Sequence, residues 1–473
     1  MIKEVYKNIK GRSKKTITII DEKRNEYEQK KMLGRGGQAP VFAVLNKKEK
    51  KSYAFKMYKA NSNNSKKNEM IKAVRENIIE LTNYGPFKNK HGKPSTGIIS
   101  PKFFVDGGPD RFGYIMDLVD LKGYITLKKA WRPGMYPSTE VLCNIVINLA
   151  HEFESIHLGA GYCYKDINEG NIYFNTQTGD IKIIDNDNLG PSDIVTIKGT
   201  PGYIAPEIYG GAKPDQRTDQ FSFAVYLLRL FVGAYPFEGK YSRDYCIKKD
   251  ILDIEAAPVI YGSEACFIFH PTNKRNSIEE MGDKISQGQH SNWNNLPQEI
   301  KNLFIKTFVT NLEIDRRAER TRVDEWAKVF EKMLKNLVKC PQCHKSNFHK
   351  SKKCAECSTV LPYASTGRRA EFDIISIGDR KGKLILKVSD IKKGREISRH
   401  LSSYGDFLKL QYSKSTNKLG LRNLSAFSWK ITPAGKSAFD CPPGGIVELS
   451  DGMKINFLRK IAQLNVSALV LTK

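Results

Sequence analysis

The chain has 473 residues, of which 40% are hydrophobic and 27% are charged. This composition is ordinary for globular proteins and excludes a fibrous or disordered chain, and the length suffices for about three domains. Lysines and arginines number 77 against 51 aspartates and glutamates, so the formal net charge is +26. Such a field attracts nucleic acid, acidic proteins or anionic lipids but identifies none of them.

The sequence predicts neither a secretion signal nor a membrane span. The basic N terminus leads only to a short apolar run, Thr16 to Ile20. The longest apolar stretch, Phe221 to Phe237, contains Arg229 and is predicted to be a buried helix. Nine cysteines, four of them in two close pairs, do not form a disulfide framework, which favours a reducing, cytoplasmic location.

The first region, to about residue 335, alternates strand-like and helix-like runs. Strands are predicted at Tyr53 to Met57 and at Gly113 to Val119, and the lysine-rich stretch from Lys59 to Asn68 is predicted to be a loop. A helix is predicted to begin near Ser138, because apolar residues then recur every four positions.

A glycine-rich turn precedes these elements. Leu33 to Val44 reads LGRGGQAPVFAV, and backbone N–H groups of such a turn can approach phosphate oxygens because no side chains intervene. A glycine-rich hairpin is the alternative interpretation. Further on, YAFK places Lys56 at the end of a strand, where its ammonium group either points at phosphates or is solvated.

Two aspartate motifs follow. Tyr164 to Asn171 reads YKDINEGN, and Ile181 to Gly190 reads IKIIDNDNLG. Asp166, Asn171 and Asp185 supply one possible base and two oxygen ligands for Mg²⁺ or Mn²⁺, although loop aspartates are often only turn formers. Together with the glycine-rich turn and the lysine, these motifs resemble the protein kinase family over roughly residues 25 to 335.

The resemblance implies an ATP site. Lys56 matches the lysine of V-A-I-K, and its acidic partner is expected to be Glu76 on the following helix, with Glu80 one turn on as the alternative. Ala39 replaces the third glycine of the G-x-G-x-x-G loop, and Met116 takes the gatekeeper position. The implied ATP-binding residues are Gly34, Gly36, Gly37, Ala39, Val41, Ala54, Lys56, Met116, Asp117, Val119 and Tyr173.

The resemblance also assigns the residues of phosphoryl transfer. Asp166 matches the aspartate of H-R-D and is implied as the base, and Asn171 and Asp185 are implied as the magnesium ligands. Thr200 is implied to bond to Asp166 and is typical of serine/threonine kinases. The segment GTPGYIAPE, Gly199 to Glu207, is the most specific match in the chain.

Other positions are implied to brace or regulate this site. Asp219 and Arg320 fit late helical positions that brace the active segment, and Arg320 is expected to pair with Glu207 of A-P-E. Thr196 is a candidate for autophosphorylation, and Lys165 could pair with its phosphate. An ordinary exposed loop threonine is the alternative.

Three departures from the family pattern, besides Ala39, bear on the chemistry. Asn168 stands where serine/threonine kinases carry a lysine, Asn186 replaces the phenylalanine of D-F-G, and Tyr164 replaces the histidine of H-R-D. The loss of a positive charge near the phosphoryl group is expected to slow transfer. Because the base and both metal ligands are present, an active enzyme is favoured over a pseudokinase scaffold.

Two C-x-x-C pairs lie in a short lysine-rich stretch, Cys340 with Cys343 and Cys354 with Cys357. Four thiolates suit a closed, tetrahedral structural Zn²⁺ site that resembles a zinc ribbon. A redox C-x-x-C is the alternative, and the nearby lysines leave contact with nucleic acid open.

The last region, from about Phe372, contains short strand-like runs separated by glycine, proline, asparagine and aspartate, which predicts an all-β sandwich. It resembles forkhead-associated domains, which bind phosphothreonine peptides. The resemblance implies a phosphate pocket built from Arg395, Ser398 and Arg399, although the spacing of these motifs is shorter than in the family.

The prediction is therefore a multidomain α+β protein. Its parts are a bilobal kinase at 1–335, with lobes at about 25–119 and 120–335, a four-cysteine zinc ribbon at 336–362 and a forkhead-associated-like sandwich at 363–473. The expected function is transfer of the γ-phosphoryl group of ATP to protein Ser/Thr hydroxyls, with C-terminal domains that recruit partners. Kinases of this organisation resemble those found beside a von Willebrand-type protein and a PP2C-like phosphatase. Nucleic-acid binding is less favoured.

Overall fold

The computed structural model describes residues 1–9, 12–35, 39–59, 65–108, 111–158, 161–192, 199–312, 314–349, 351, 353–361, 369–376, 382–387, 390–393, 405–413, 416, 418–457 and 462–470. The chain divides into two compact units, Met1–Leu361 and Pro362–Lys473. Helices occur only in the first unit among these residues, and none of them is both long and apolar enough to cross a membrane.

The first unit opens with an antiparallel seven-stranded sheet of order β1-β2-β3-β4-β5-β7-β6. Gly113 is required in this sheet because a Cβ there would lie 2.2 Å from the carbonyl oxygen of Lys56. The first two strands form a hairpin on the sheet edge that the sequence interpretation did not predict. The strands are β1 (Ile2–Ile9), β2 (Arg12–Ile20), β3 (Glu26–Arg35), β4 (Pro40–Asn46), β5 (Lys51–Lys59), β6 (Phe103–Asp106) and β7 (Arg111–Asp117).

Helix α1 (Ser65–Tyr84) packs on this sheet. Its residues Ile71, Val74 and Ile78, spaced three and four apart, share an apolar cluster with Tyr58 and Tyr114 of the sheet. The spacing places one apolar stripe of the helix against the strands, and this stripe fixes which neighbouring side chains face the interior of the lobe.

The second lobe is helical. Helix α3 lies where a helix was predicted, and the Ser138 hydroxyl accepts the N–H of Val141 at its start. The apolar stretch predicted to be a buried helix from Phe221 to Phe237 is helical only to Phe231, where α5 ends, and the N terminus of α5 is capped by Asp215 in a capping box with Thr218. The helices are α2 (Leu127–Ala130), α3 (Thr139–Leu158), α4 (Pro206–Tyr209), α5 (Gln216–Phe231), α6 (Lys240–Lys249), α7 (Asp253–Ala257), α8 (Lys284–Asn295), α9 (Gln298–Ile305) and α10 (Val323–Lys335).

Short strands carry the loops that face the first lobe. One three-stranded sheet has the order β11-β10-β8, and β9 pairs with β12. The strands are β8 (Tyr124–Thr126), β9 (Tyr162–Cys163), β10 (Ile172–Asn175), β11 (Ile181–Ile183) and β12 (Gly190–Pro191). Short helical segments of 3₁₀ or π type occur at Asn186–Asn188, Pro258–Ser263, Lys306–Thr310 and Ile314–Glu319.

The cysteine-rich stretch packs on the helical lobe and belongs to the first compact unit. Its hairpin of β13 (Val338–Lys339) and β14 (Ser346–Asn347) is followed by Phe348, which lies in the main apolar core against Phe330. The side chain of Asn295 bonds to both the N–H and the carbonyl of Lys353. The stretch therefore shares a core with the lobe although it is too short to form one alone.

The second unit contains two sheets, of order β16-β15-β24-β23-β20-β21 and β17-β18-β19-β22. They enclose one core in which Phe407, Trp429 and Phe457 make aromatic contacts. The strands are β15 (Arg369–Ser376), β16 (Gly382–Lys387), β17 (Ile391–Lys393), β18 (Asp406–Ser413), β19 (Lys418–Asn423), β20 (Trp429–Thr432), β21 (Phe439–Cys441), β22 (Ile446–Glu448), β23 (Lys454–Phe457) and β24 (Ala462–Val470).

Candidate active site

The loop that carries Asp166 is fixed from below by Asp219 of helix α5. The Asp219 carboxylate accepts the backbone N–H groups of Tyr164 at 2.6 Å and Lys165 at 3.0 Å, and it also contacts His157 Nε2 at 3.0 Å. Lys165 has a φ of 70°, a left-handed conformation that costs free energy for a non-glycine residue. A buried carboxylate thus holds a strained backbone immediately before the expected base.

Asp166 lies between the two residues expected beside it. Its Oδ1 accepts a hydrogen bond from the Thr200 hydroxyl at 2.7 Å, and its Oδ2 accepts one from the Asn171 amide at 3.1 Å. Burial raises the pKa of Asp166 and so does the charge of Asp185, whereas the hydrogen bonds from Thr200, Asn168 and Asn171 lower it, and the net shift is upward. The carboxylate is therefore oriented by donors on both oxygens.

Asn168, which replaces the family's lysine, closes the loop on itself. Its Oδ1 accepts the N–H groups of Gly170 and Asn171, and its Nδ2 donates to the carbonyl oxygen of Asp166. These three hydrogen bonds are with the backbone of its own turn, as is typical of asparagine in turns, and the same side chain also lowers the pKa of the Asp166 carboxylate. The residue shapes the loop in this structure.

Asp185 begins the segment after β11, and its φ of 64° is also left-handed. The Tyr164 hydroxyl donates to the carbonyl oxygen of Ile184 at 2.8 Å, so the residue that replaces the H-R-D histidine ties the two loops together. Asn186, which replaces the D-F-G phenylalanine, is buried, and its amide donates to the carbonyl oxygens of Ile99 and Ile183. Asn186 thus makes hydrogen bonds at the position where the family pattern has a phenylalanine.

Lys56 is buried in strand β5, and its Nζ lies 2.5 Å from Asp185 Oδ1 and 2.8 Å from Asp187 Oδ2. Burial lowers the pKa of Lys56, but the negative charges of Asp187 and Asp185 outweigh it, so the net pKa shift is upward and the ammonium form is favoured.

The predicted pairing of Lys56 with Glu76 or Glu80 is not what the structure shows. Glu76 is exposed, and Glu80 accepts a hydrogen bond from the Tyr162 hydroxyl at 2.9 Å. The buried helix residue at this level is Asn77, whose amide donates to the backbone oxygens of Asp187 and Leu189. Successive residues on a helix point about 100° apart. Because Asn77 faces the site, the side chain of the preceding residue, Glu76, faces away from it.

The residues expected to bind ATP lie on neighbouring strands. Val41 pairs with Gly34 on one side and Lys56 on the other, and Ala54 pairs with Met116. The remaining described members are Ala39, which is buried, Asp117 at the end of β7, Val119 just after it, and Tyr173 on β10. Gly36, Gly37 and the candidate phosphosite Thr196 lie outside the described residues.

Glu207 and Arg320 form the buried pair that the motifs implied. Arg320 donates from both terminal nitrogens to the two carboxylate oxygens, at 2.8 and 2.9 Å. It also donates to the carbonyl oxygens of Asn311 and Leu312. The guanidinium thus has a bidentate partner and further acceptors, as a buried cation requires.

The four predicted zinc cysteines converge. Their sulfur atoms all lie within 4.8 Å of one another, with Cys340 to Cys357 at 3.7 Å and Cys343 to Cys354 at 3.5 Å. Tetrahedral Zn²⁺ with Zn–S bonds of about 2.3 Å sets sulfurs about 3.8 Å apart, so the cluster has the size that zinc needs. Within the cluster, hydrogen bonds with Thr359 lower the pKa of Cys357, whereas burial and the neighbouring thiols raise the pKa of Cys343, so Cys357 loses its proton more readily than Cys343.

The expected phosphopeptide residues Arg395, Ser398 and Arg399 lie outside the described part of the chain. Asn423 of the same unit is buried, and its amide donates to the carbonyl oxygens of Phe427 and Cys441. These contacts give it a structural role in joining strands.

Sequence reasoning missed Asp187 and Asn77. The run IKIIDNDNLG shows Asp187 two positions after Asp185, and this spacing was the available signal. For Asn77 the sequence carries no comparable signal, because its position depends on the rotation of α1 about its axis.

Comparison with known proteins gives a consistent picture. The family described as protein kinase domain matches residues 27–309. Myosin light chain kinase A of Dictyostelium discoideum is 27% identical over 45% of this chain and 68% of its own length. A probable serine/threonine-protein kinase of Clostridium perfringens is 26% identical over 46% of this chain and 30% of its own length.

A further relative and a solved structure match similar parts of this chain but different fractions of their own lengths. Protein kinase C delta type of Rattus norvegicus is 27% identical over 44% of this chain and 29% of its own length, so the chain spans less than a third of this relative. Among solved structures, the autoinhibited serine kinase domain of titin is 16% identical, with a TM-score of 0.44 over 66% of this chain and 83% of that one.

Proposed function

The chain belongs to the protein kinase family and is of the serine/threonine type, and we propose that it is an active enzyme that phosphorylates serine or threonine hydroxyls of a protein. The observation that carries the proposal is the placement of Asp166, with Thr200 on one carboxylate oxygen and Asn171 on the other. A scaffold without catalysis has no need of a base oriented in this way.

The chemistry follows from these side chains. Asp166 accepts the proton of the substrate hydroxyl while the hydroxyl oxygen forms a bond to the γ-phosphorus of ATP. The bond between the γ-phosphorus and the β–γ bridging oxygen breaks, and its electron pair leaves with ADP. The family implies ATP and Mg²⁺, and Asn171 and Asp185 supply the oxygen ligands that Mg²⁺ or Mn²⁺ prefers. The bound ion would neutralise phosphate charge, and Lys56 would contact the α- and β-phosphates.

We place the ATP site between the two lobes, where strands β4, β5 and β7 of the first lobe and β10 of the second carry the predicted residues. Val41, Ala54 and Met116 would contact the adenine, and the backbone of Asp117 and Val119 would bond to it. The registers that bring Val41 beside Lys56 and Ala54 beside Met116 support this assignment. Asn168 stands where serine/threonine kinases carry a lysine, and its side chain is engaged with its own turn. The transferring phosphoryl group therefore lacks a positive charge from this position, and we expect a low turnover number.

Radiolabelled ATP and Mg²⁺ test the activity of the full chain on itself and on generic protein acceptors. Incorporation that is lost in Asp166→Asn and in Asp185→Asn, but kept in the surface variant Asp244→Asn, supports the kinase. Mass spectrometry would then show whether Thr196 is the site of autophosphorylation. Nucleotide binding without incorporation would instead establish the pseudokinase scaffold.

The cysteine cluster is proposed as a structural zinc site. Its sulfur spacing and its four thiol ligands support Zn²⁺ in a closed site, and the packing of Phe348 in the main core predicts that zinc stabilises the kinase lobe. Metal analysis of the purified chain is expected to give one zinc per chain, retained in Cys246→Ser and lost in Cys357→Ser. A disulfide with no bound metal would indicate the redox alternative.

The second unit is proposed to recruit protein partners as a forkhead-associated-like domain. The two sheets and their antiparallel strand order support that fold. A von Willebrand-type protein and a PP2C-like phosphatase are the proposed partners. Phosphothreonine peptides titrated into the full chain and into the double variant Arg395→Ala/Arg399→Ala test the pocket, with equal binding by the two chains arguing against it.

A further inference from the structure

The charge environment of Lys56 differs from the expected one in a way that has mechanistic consequences. Its two carboxylate neighbours are not equivalent, because the side chain of Asp187 is 0% exposed whereas that of Asp185 is 38% exposed. The Lys56 side chain is itself 2% exposed. Only the pair with Asp187 is therefore enclosed on both sides, in the environment where an ion pair is least screened.

Asp185 has a separate role if the proposed function is correct, because its carboxylate is then a metal ligand. A carboxylate bound to a divalent cation is a poor partner for an ammonium group at the same time, since the cation takes most of its charge. Among the described residues, Asp187 is then the buried carboxylate left to pair with the Lys56 ammonium group.

We propose that Asp187 is the positioning residue of Lys56, and that it takes the place of a carboxylate on helix α1. This inference rests on the proposed function for its catalytic meaning. Asp187 holds the ammonium group at the end of β5 while Asp185 is engaged elsewhere, so the lysine and the metal ligand are set by residues two positions apart in a single segment.

The segment Asp185–Gly190 is anchored by neutral groups. The Asn77 amide of helix α1 donates to the backbone oxygens of Asp187 at 2.7 Å and Leu189 at 2.8 Å. A Cβ at Gly190 would lie 2.1 Å from Asn77 Oδ1, so this close approach requires glycine. Helix α1 thus contributes hydrogen bonds and packing to the site, and the charge comes from the segment.

The helix carboxylates are occupied or turned away. Glu69 and Glu76 are exposed, and Glu80 accepts a hydrogen bond from the Tyr162 hydroxyl across the lobe interface within the first unit. A carboxylate on α1 is therefore not needed to place Lys56. Ordering of the segment that starts at Asp185 orders the lysine at the same time, which couples the two halves of the phosphate site.

Three variants of the full chain test this assignment. Asp187→Asn removes the charge with almost no change in shape, Asp187→Glu keeps the charge but adds a methylene to a packed site, and Glu76→Gln is the matched control on the helix. The measurement is the affinity for a fluorescent ATP analogue with Mg²⁺, made without turnover, together with kcat and KM for ATP. Thermal unfolding reports the fold of each variant.

A positioning role predicts that Asp187→Asn weakens analogue affinity and kcat/KM by about 10- to 100-fold, because misplacement of a phosphate-binding group is costly. Asp187→Glu should retain more affinity than Asp187→Asn although it is the worse fit, and Glu76→Gln should match the wild type. A merely structural role predicts the opposite order for the two Asp187 variants, since packing would then decide.

Full analogue affinity in a folded Asp187→Asn, or a comparable loss in Glu76→Gln, would overturn the assignment. If Asp187→Asn does not fold, analogue affinity that is largely retained in Asp187→Glu despite a lowered unfolding temperature, together with wild-type affinity in Glu76→Gln, supports the assignment, and any other combination counts against it. Because binding is read without turnover, a wild type that binds the analogue but transfers no phosphate would refute the proposed function and leave the test of Asp187 intact.

Discussion

Two of the buried ion pairs among the described residues of the first unit differ in how their partners are specified. Arg320 meets Glu207 with side chains 0% and 2% exposed, and Lys56 meets Asp187 with side chains 2% and 0% exposed. The first pair follows the family motif, whereas the second replaces it. A bidentate guanidinium–carboxylate pair requires one relative orientation of the two groups. A lysine ammonium group can donate to a carboxylate from several directions, so the partner of the lysine can change while the lysine is kept.

The strongest way to break this comparison is to remove the rigid member. Arg320→Met leaves the Glu207 carboxylate buried, with Arg317 still 3.7 Å away, and is expected to lower the free energy of unfolding by about 3–5 kcal/mol. Urea denaturation measures the loss. The control Arg322→Met removes an exposed pair with Asp324 and should cost less than about 1 kcal/mol, so similar losses in the two variants would contradict the expected effect of burial.

The second prediction tests the neutral anchor of the lysine pair. Asn77→Ala leaves the carbonyl oxygens of Asp187 and Leu189 buried without this donor and is expected to cost about 1–3 kcal/mol of unfolding free energy. It should also weaken binding of the ATP analogue, because Asp187 loses its support. Asn148→Ala, which removes a half-buried bond to Gly179, is the matched control. Equal effects on ATP binding would show that the anchor is not specific to the site.

The contrast also explains what the sequence could predict. Asp166, Asn171 and Asp185 lie in short loops where the motif itself sets the geometry, so their positions along the chain were sufficient to bring them together. The partner of Lys56 depends on the rotation of α1, and no local motif fixes that rotation. An apolar stripe of Ile71, Val74 and Ile78 sets it, and only packing against the sheet shows which neighbouring residue faces inward.

The same reasoning applies at the ends of the first unit. The hairpin of β1 and β2 precedes the family match and has no motif, so its addition to the sheet edge could not be predicted from the resemblance. The sulfur cluster was predictable because ligand spacing defines it, whereas the docking of Phe348 into the lobe was not, since a single aromatic residue in a polar stretch carries no periodic signal.

A smaller change separates stability from function in the lysine region. Tyr164→Phe removes the bond from the hydroxyl to the carbonyl oxygen of Ile184, and Tyr136→Phe removes an equivalent bond to Leu230 at the same 2.8 Å distance. Each is expected to cost about 1 kcal/mol in thermal or chemical denaturation. Only Tyr164→Phe should also raise KM for ATP, because Ile184 precedes Asp185, and an unchanged KM would show that this tie does not position the metal ligand.

The smallest expected effect concerns the protonation of Asp166. Burial raises its pKa and the hydrogen bond from Thr200 lowers it, so Thr200→Val should raise the pKa further. The base acts when deprotonated, and a higher pKa means that it is protonated at a higher pH, so the acidic limb of the kcat profile should move upward. Loss of one hydrogen bond is expected to lower the plateau rate by about 10-fold or less. Thr200→Ser keeps the hydroxyl and should retain the wild-type limb. If Thr200→Val lowers the plateau without moving the limb, the hydroxyl orients Asp166 but does not set its protonation.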